Sequence, residues 1–325
     1  MDLDQIKKAT DLLRIGELVA FPTETVYGLG ADADQPDAVA KIFAAKGRPQ
    51  DHPLIVHLGS AEALEPWAKN IPNSAYQLAR TFWPGPLTLI LERGKTALGV
   101  TGGQESVGLR VPSHPVAQAL LKTFGGGIAA PSANRFGHVS PTQAQHVHEE
   151  FGEHCPFTLD GGDCAVGLES TILSLIDDVP TLLRPGVISR GAIESVIGRA
   201  VIYPSDPKKI RVSGTLDSHY APRTPVVVMG KQKMEEMLTS EHGEQFKIAF
   251  MSFGEVAPGL SAGKPFHALI TMPSDPEYYG QRLYAALRHL DLSGSDLIVV
   301  DAPPNTCEAW EAINDRLSRA AHKNP

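Results

Sequence analysis

The chain has 325 residues, 42% of them hydrophobic and 20% charged, a composition that fits a globular protein and excludes a disordered or collagenous one. Its length exceeds the usual single core, so two domains are expected. Lys plus Arg number 29 against 37 Asp plus Glu, a formal net charge of -8, which disfavours broad adhesion to nucleic acid or to an anionic membrane and confines any phosphate binding to a local basic cleft. The opening residues Met1-Asp-Leu-Asp-Gln resemble no secretory signal, and no apolar run is long enough to span a bilayer. Cys155, Cys164 and Cys307 are odd in number and match no metal-ligand spacing, as expected of thiols in a reducing cytoplasm.

Ile6, Ala9, Leu12 and Leu13 recur at helical spacing up to Gly16, and Leu18 to Phe21 then reads as a buried strand. Val39, Ile42 and Phe43 mark a helix ended by Gly47, Leu54 to Leu58 a strand, and Ser60 a cap for a further helix. Strands follow at Leu87 to Glu92, Val107 to Val111, Gly127 to Ala130, Phe157 to Asp160 and Glu169 to Leu175, with a helix over His114 to Phe124. Ser140-Pro141 has the chemistry of a helix start. Residues 1–200 are read as one domain, the proline-rich and aperiodic stretch 201–225 as a linker, and 226–325 as a smaller α/β domain. In the latter, strands are expected at Val226 to Met229, Lys247 to Met251, Ala268 to Thr271 and Asp296 to Val300, and helices at Pro276 to Leu290 and Glu308 to Ala321.

Several motifs carry less than they promise. Gly28-Leu-Gly30 matches a relaxed dinucleotide fingerprint but lies well past its strand, whereas a true fingerprint turns directly from strand into helix. Gly162 to Gly167 has the glycine spacing of a phosphate loop, but Leu168-Glu169 stand where Lys and Ser or Thr are required. His146, His148, Glu149, Glu150 and His154 read as a solvated helix face, so no transition metal is assigned. No serine or cysteine sits in a nucleophile signature, so covalent catalysis is not indicated, and with the dinucleotide fingerprint set aside no organic prosthetic group is expected. Lys46 and Arg48 close a helix, where cations complement the dipole or hold an anion. Arg110, flanked by apolar strand residues, needs an anion, either a ligand or a structural carboxylate, and Arg184 repeats the pattern. Ser132, Asn134 and Ser140 surround Gly137 in a loop that offers either anion donors or plain turn chemistry, and His57 ends an apolar strand as a core histidine or a ligand contact.

As an ordered series, Phe21-Pro-Thr-Glu-Thr-Val-Tyr-Gly-Leu-Gly30, Lys46-Gly-Arg-Pro, Pro53-Leu-Ile-Val-His57, Pro84-Gly-Pro-Leu-Thr88, Leu109-Arg-Val-Pro112 and Ala130-Pro-Ser-Ala-Asn134 closely resemble the YrdC-type threonylcarbamoyladenylate synthases. Glu169-Ser-Thr171 and Leu183-Arg-Pro-Gly186 continue the match, and Ser213 to Pro222 with Trp310 to Leu317 resemble the long, two-domain branch. The resemblance implies an α/β fold: a twisted mixed sheet flanked by helices around a deep cleft, plus a smaller C-terminal Rossmann-like domain. It implies synthesis of L-threonylcarbamoyl-AMP from L-threonine, bicarbonate and ATP with release of pyrophosphate, magnesium being carried on ATP. The product serves threonylcarbamoylation of adenosine 37 (t6A37) in tRNAs that read ANN codons, through downstream transferase machinery and with at most weak tRNA contact. By motif position it implies Lys46 and Arg48 as catalytic residues and Thr23, His57, Arg110 and Ser170 as threonine contacts. It implies Arg48, His52, Ser106, Ser132, Asn134, Ser140, Arg184 and Tyr220 as nucleotide contacts, with the linker around Tyr220 a lid. Two positions depart from the family: His52 stands where asparagine is common, and Ser106 where threonine is. An RNA-binding module without adenylation, and a carbamoyl-phosphate-dependent domain, are the alternatives.

Overall fold

The computed structural model describes residues 2–95, 98–206, 210–214, 219–239, 247–254 and 266–322; residues 207–209 and 215–218 of the expected linker lie outside these. Two compact units emerge, Met1–Phe136 with Ser140–Thr215, and Gly137–Val139 with Leu216–Pro325.

In the first unit the helices are α1 (Leu3–Arg14), α2 (Pro36–Lys46), α3 (Asn73–Phe82), α4 (Pro115–Phe124), α5 (Ala144–Phe151) and α6 (Arg190–Ile197). The strands are β1 (Val19–Phe21), β2 (Gly28–Asp32), β3 (Ile55–His57), β4 (Leu87–Glu92), β5 (Ser106–Arg110), β6 (Ile128–Ala129), β7 (Phe157–Thr158), β8 (Thr171–Ser174) and β9 (Thr181–Arg184). They form one mixed sheet in the order β7-β1-β2-β6-β3-β5-β4-β8-β9, with β3 and β5 parallel and β4 antiparallel to β5. Side chains alternate across it, as a pleated strand requires. Val19 and Phe21 pack with Ile6, Ala9 and Leu13 of α1 and Leu120 and Leu121 of α4. Ala20, Leu29, Val56, Leu89 and Leu109 face the opposite layer, where Ile42 of α2, Leu78 of α3, Val147 of α5 and Ile193 of α6 cover them.

Four local readings are corrected. Gly28 to Asp32, where no strand is expected from the sequence, is β2, antiparallel to β1 with Val19 opposite Gly30. A Cβ on Gly30 would come within 2.8 Å of Phe21 Cε1 and 2.9 Å of Ile128 Cγ2, so this glycine serves close packing and not a phosphate. Ser140 does not cap a helix, because α5 starts only at Ala144 after Gln143. His146 is buried, not solvated, and its Nδ1 accepts the N–H of Thr142, just before the N-cap, at 3.2 Å. At Ser60 the chain makes only the short 3₁₀ turn Ala61–Leu64.

The second unit holds β10 (Val226–Met229), α7 (Lys231–Thr239), β11 (Ile248–Phe253), β12 (Ala268–Met272), α8 (Pro276–Asp291), β13 (Leu297–Asp301) and α9 (Glu311–Ala320). The strands are all parallel in the order β10-β13-β11-β12, the Rossmann-like arrangement. Asp275 caps α8, its carboxylate accepting from the N–H groups of Glu277 and Tyr278. Among the described residues no helix is long and apolar enough to cross a membrane.

Candidate active site

Arg110 ends β5 directly opposite His57, which ends the parallel strand β3, so the register alone sets these two side chains beside each other at the carboxyl ends of neighbouring strands, where open α/β sheets bind ligands. Both are buried. The Arg110 guanidinium donates from Nη2 to Glu24 Oε1 at 2.7 Å, from Nη1 to Thr25 Oγ1 at 2.9 Å and from Nε to the Gly85 carbonyl at 3.3 Å. Three of the five donors that arginine carries are thereby used, and each terminal nitrogen keeps one. The Gly85 backbone passes hard against its own turn: a Cβ there would lie 2.3 Å from the Phe82 carbonyl oxygen. His57 stacks edge-on to Phe21, and burial, reinforced by the Arg110 charge, pushes its pKa down to about 3. Its imidazole is therefore neutral, and its buried Nδ1 has no hydrogen-bond partner. An orphaned polar atom at such depth is costly unless a ligand completes it.

Thr23 lies in the same turn, where its hydroxyl donates to the Val26 carbonyl at 2.7 Å and meets the Thr25 hydroxyl at 2.8 Å. Across the sheet, Ser170 immediately precedes β8 and shares a 2.7 Å hydrogen bond with Thr88 of β4. Arg184 of β9 donates to the Ser170 carbonyl from Nε and Nη2 and to its hydroxyl from Nη2 at 3.2 Å.

At the end of α2, Gly47 adopts φ +62°, a left-handed conformation that suits glycine and lets the chain turn away with Lys46 as the last helical residue. The Lys46 ammonium donates to the carbonyl oxygens of Ser132, at 2.5 Å, and Asn134, while the Phe136 N–H returns a bond to the Lys46 carbonyl at 2.8 Å. Burial first, and Arg48 second, hold the Lys46 pKa well below its ordinary value. Asn134 donates its side-chain amide to the Arg135 carbonyl at 2.7 Å, which shapes the same loop.

Arg48 donates to the Pro53 carbonyl at 2.9 Å and to the Ser213 hydroxyl at 3.0 Å, and Arg184 Nη1 donates to the Ser213 carbonyl at 2.8 Å. Ser213 thus ties two guanidiniums together. The segment is clasped by Arg211, which bonds Asp51 at 2.9 Å, and by a reciprocal pair between Gln104 and the Arg211 backbone. Under it lies a recess open to solvent and lined by Pro53, Ile55, Ile90, Ser106, Arg211 and Ser213 among others. His52 packs edge-on to Phe136 at 5.4 Å, with its pKa lowered by burial and by Arg48. Ser140 donates its hydroxyl to Glu169 Oε1 at 2.6 Å, both side chains buried.

The first unit therefore carries every expected site residue except Tyr220, which belongs to the second. There Tyr220, at φ +59°, is buried, stacked on Tyr284 at 5.6 Å with the Arg316 guanidinium 5.4 Å from its ring. Sequence reasoning missed Glu24, Thr25, Gly85, Thr88, Glu169 and Ser213. A signal for Glu24 existed: it is the lone charged residue in the run from Phe21 to Ala31, a candidate counter-charge for a buried arginine.

Comparison with known proteins agrees along nearly the whole chain. Residues 11–186 match the model of the Sua5/YciO/YrdC family, described as "Telomere recombination", and residues 188–322 match the "Threonylcarbamoyl-AMP synthase, C-terminal domain". A threonylcarbamoyl-AMP synthase of Bacillus subtilis is 41% identical over 98% of this chain and 93% of its own. One of Pyrococcus abyssi is 41% identical over 91% of this chain and 88% of its own. The crystal structure of P. abyssi Sua5 complexed with L-threonine superposes with a TM-score of 0.90 at 39% identity, covering 99% of this chain and 95% of that one. The chain belongs to the Sua5/YciO/YrdC family of threonylcarbamoyl-AMP synthases, adenylyl-transferring enzymes, in its two-domain form.

Proposed function

We propose that this enzyme makes L-threonylcarbamoyl-AMP from L-threonine, bicarbonate and ATP, the last as its magnesium complex, with release of pyrophosphate. The observation that carries the reading is the pairing of Arg110, with one spare donor on each terminal nitrogen, and a neutral His57 whose buried Nδ1 lacks a partner. A planar two-pronged donor fits a carboxylate, and a neutral imidazole nitrogen fits a hydroxyl or amine, which together describe a hydroxy-amino acid. Thr23 and Ser170 complete this subsite.

The threonine amine captures carbon dioxide as a carbamate; a carbamate oxygen then attacks the α-phosphorus of ATP, the bond to the β-phosphate bridging oxygen breaks, and pyrophosphate leaves. No side-chain nucleophile is needed. The protein contributes alignment and charge stabilisation. Lys46 and Arg48 stabilise the charge at the reacting phosphate, and Arg48, His52, Ser106, Ser132, Asn134, Ser140 and Arg184 hold the nucleotide. For Lys46 this means exchanging carbonyl oxygens for phosphate oxygens. By the family resemblance Tyr220 is a further nucleotide contact. The enzyme works in the cytoplasm, and its labile product passes to a transferase for t6A37 modification of tRNAs reading ANN codons.

The test is pyrophosphate release from the purified chain with ATP and magnesium, omitting L-threonine or bicarbonate in turn, with prompt mass spectrometry of the adenylate. Release that requires both, with the adenylate detected, is the expected result. Release that depends on carbamoyl phosphate instead, or binding of ATP without any release, refutes it.

A further inference from the structure

We propose that Glu24 is a specificity-determining positioning residue: it fixes and neutralises Arg110 so that this guanidinium takes an amino-acid carboxylate and not a phosphate. The inference rests on the reading of Arg110 as the threonine-carboxylate contact.

The geometry is over-determined. Glu24 Oε1 holds Arg110 Nη2 at 2.7 Å, and its other oxygen accepts the Ser113 N–H at 3.0 Å, so the carboxylate cannot rotate away. The Glu24 backbone carbonyl is anchored in turn by the Val166 N–H at 2.7 Å. Thr25 holds Nη1 and is itself positioned by Thr23. With Gly85 on Nε, the guanidinium plane is fixed from three directions, and its remaining donors are left as a ready-made fork.

The charge pattern separates two kinds of anion subsite. Arg110 and Glu24 are 5% and 8% exposed at the side chain, and as a pair they carry no net charge. A zwitterionic amino acid, itself neutral overall, is matched to such a pair, whereas a multiply charged phosphate meets the Glu24 carboxylate at close range and is repelled. Lys46 sits differently, donating to two uncharged carbonyl oxygens, with Arg48 the larger and Glu150 the smaller of the charges acting on it, a setting in which phosphate oxygens can take the place of neutral ones. One cleft can thus sort a triphosphate from an amino acid although both present oxyanions.

The experiment compares wild type with Glu24→Gln and Glu24→Asp in the full chain. Pyrophosphate release gives the KM for threonine and for ATP, and the threonine-induced rise in melting temperature reports binding without turnover. The expected result for Glu24→Gln is at least a tenfold rise in threonine KM with ATP KM within twofold, inhibition by inorganic phosphate that competes with threonine and is absent from wild type, and partial recovery in Glu24→Asp. A fall in kcat with both KM values unchanged means that Glu24 only supports the fold, and overturns the proposal. Should neither Glu24 variant fold, Thr25→Ala, which frees Nη1 together with the Thr23 hydroxyl, must raise threonine KM severalfold, and an unchanged value overturns it equally. Arg110→Ala separates the two levels: if it leaves threonine binding intact, the reading of Arg110 fails, whereas if it abolishes binding while Glu24→Gln leaves the threonine KM unchanged, only the present inference fails.

Discussion

Replacing Arg110 by methionine tests whether the buried ion pair is weighted as the geometry implies. The substitution keeps most of the aliphatic stem but strips Glu24 of its 2.7 Å partner, leaving one backbone N–H, that of Ser113, on a carboxylate 8% exposed at the side chain. Breaking one side of such a pair costs about 3–5 kcal/mol, because the surviving charge stays desolvated. For a unit of this size the melting temperature then falls by roughly 6–20 °C. Adding Glu24→Leu removes the stranded charge, and double replacement by apolar groups is expected to recover most of the loss. The assay is urea or thermal unfolding of the four proteins in a double-mutant cycle. A single variant within about 1 kcal/mol of wild type, or a double variant no better than the single, would refute the argument that the pair is buried and mutually dependent.

Three further outcomes are expected. His57, with its pKa depressed to about 3, takes up a proton in the unfolded chain before it can in the folded one; the stability it contributes is complete above its ordinary value and is lost as pH falls through the window from about 6.5 to 3, at about 1.4 kcal/mol per unit. Denaturant titrations at pH 7 and pH 5 should therefore show a loss of about 2 kcal/mol from this group, which His57→Gln flattens; an unchanged acid limb in the variant counts against a buried neutral imidazole. Lys46→Met should lower pyrophosphate release by about 10²–10³-fold, as loss of one preorganised charge-stabilising donor does, and near-normal turnover removes Lys46 from the reacting phosphate. Gly30→Val, forced against Phe21 and Ile128, should cost about 1–3 kcal/mol by overpacking, whereas Gly99→Ala, with nothing within 4 Å of the new Cβ, should be almost neutral in the same unfolding assay.

How much of this was legible depends on what kind of signal each piece left. Periodic apolar segments were read well: β4 is found at Leu87–Glu92 and β10 at Val226–Met229, residue for residue, and α2 ends at Gly47 as its sequence demands. β2 was missed because Gly28 and Gly30 have no side chains to alternate, and the reason for glycine lies across the sheet in Phe21 and Ile128. Ser140-Pro141 carried the local chemistry of a helix start, but a buried partner 29 residues away, Glu169, takes the hydroxyl instead, a tertiary override no local rule can anticipate. For Arg110 the demand for an anion was legible while its source was not, and the structure supplies the carboxylate alternative in Glu24. The site as a whole was visible only through the family resemblance, since its parts run from Thr23 to Ser213 and meet through strand register and loop contacts, not through spacing.

On the proposed function, Ser213 gives the nucleotide subsite a resident competitor. Its hydroxyl and carbonyl already saturate one donor each on Arg48 and Arg184, and because it is part of the same chain its effective concentration is set by tether length and stays constant however dilute the enzyme becomes. Any phosphate oxygen that takes these positions is measured against bonds already in place, so the affinity observed is a difference and not the full strength of two guanidiniums. Shortening or stiffening the tether would retune that difference with no change to a single residue that touches the ligand, which places control of nucleotide affinity partly outside the pocket itself.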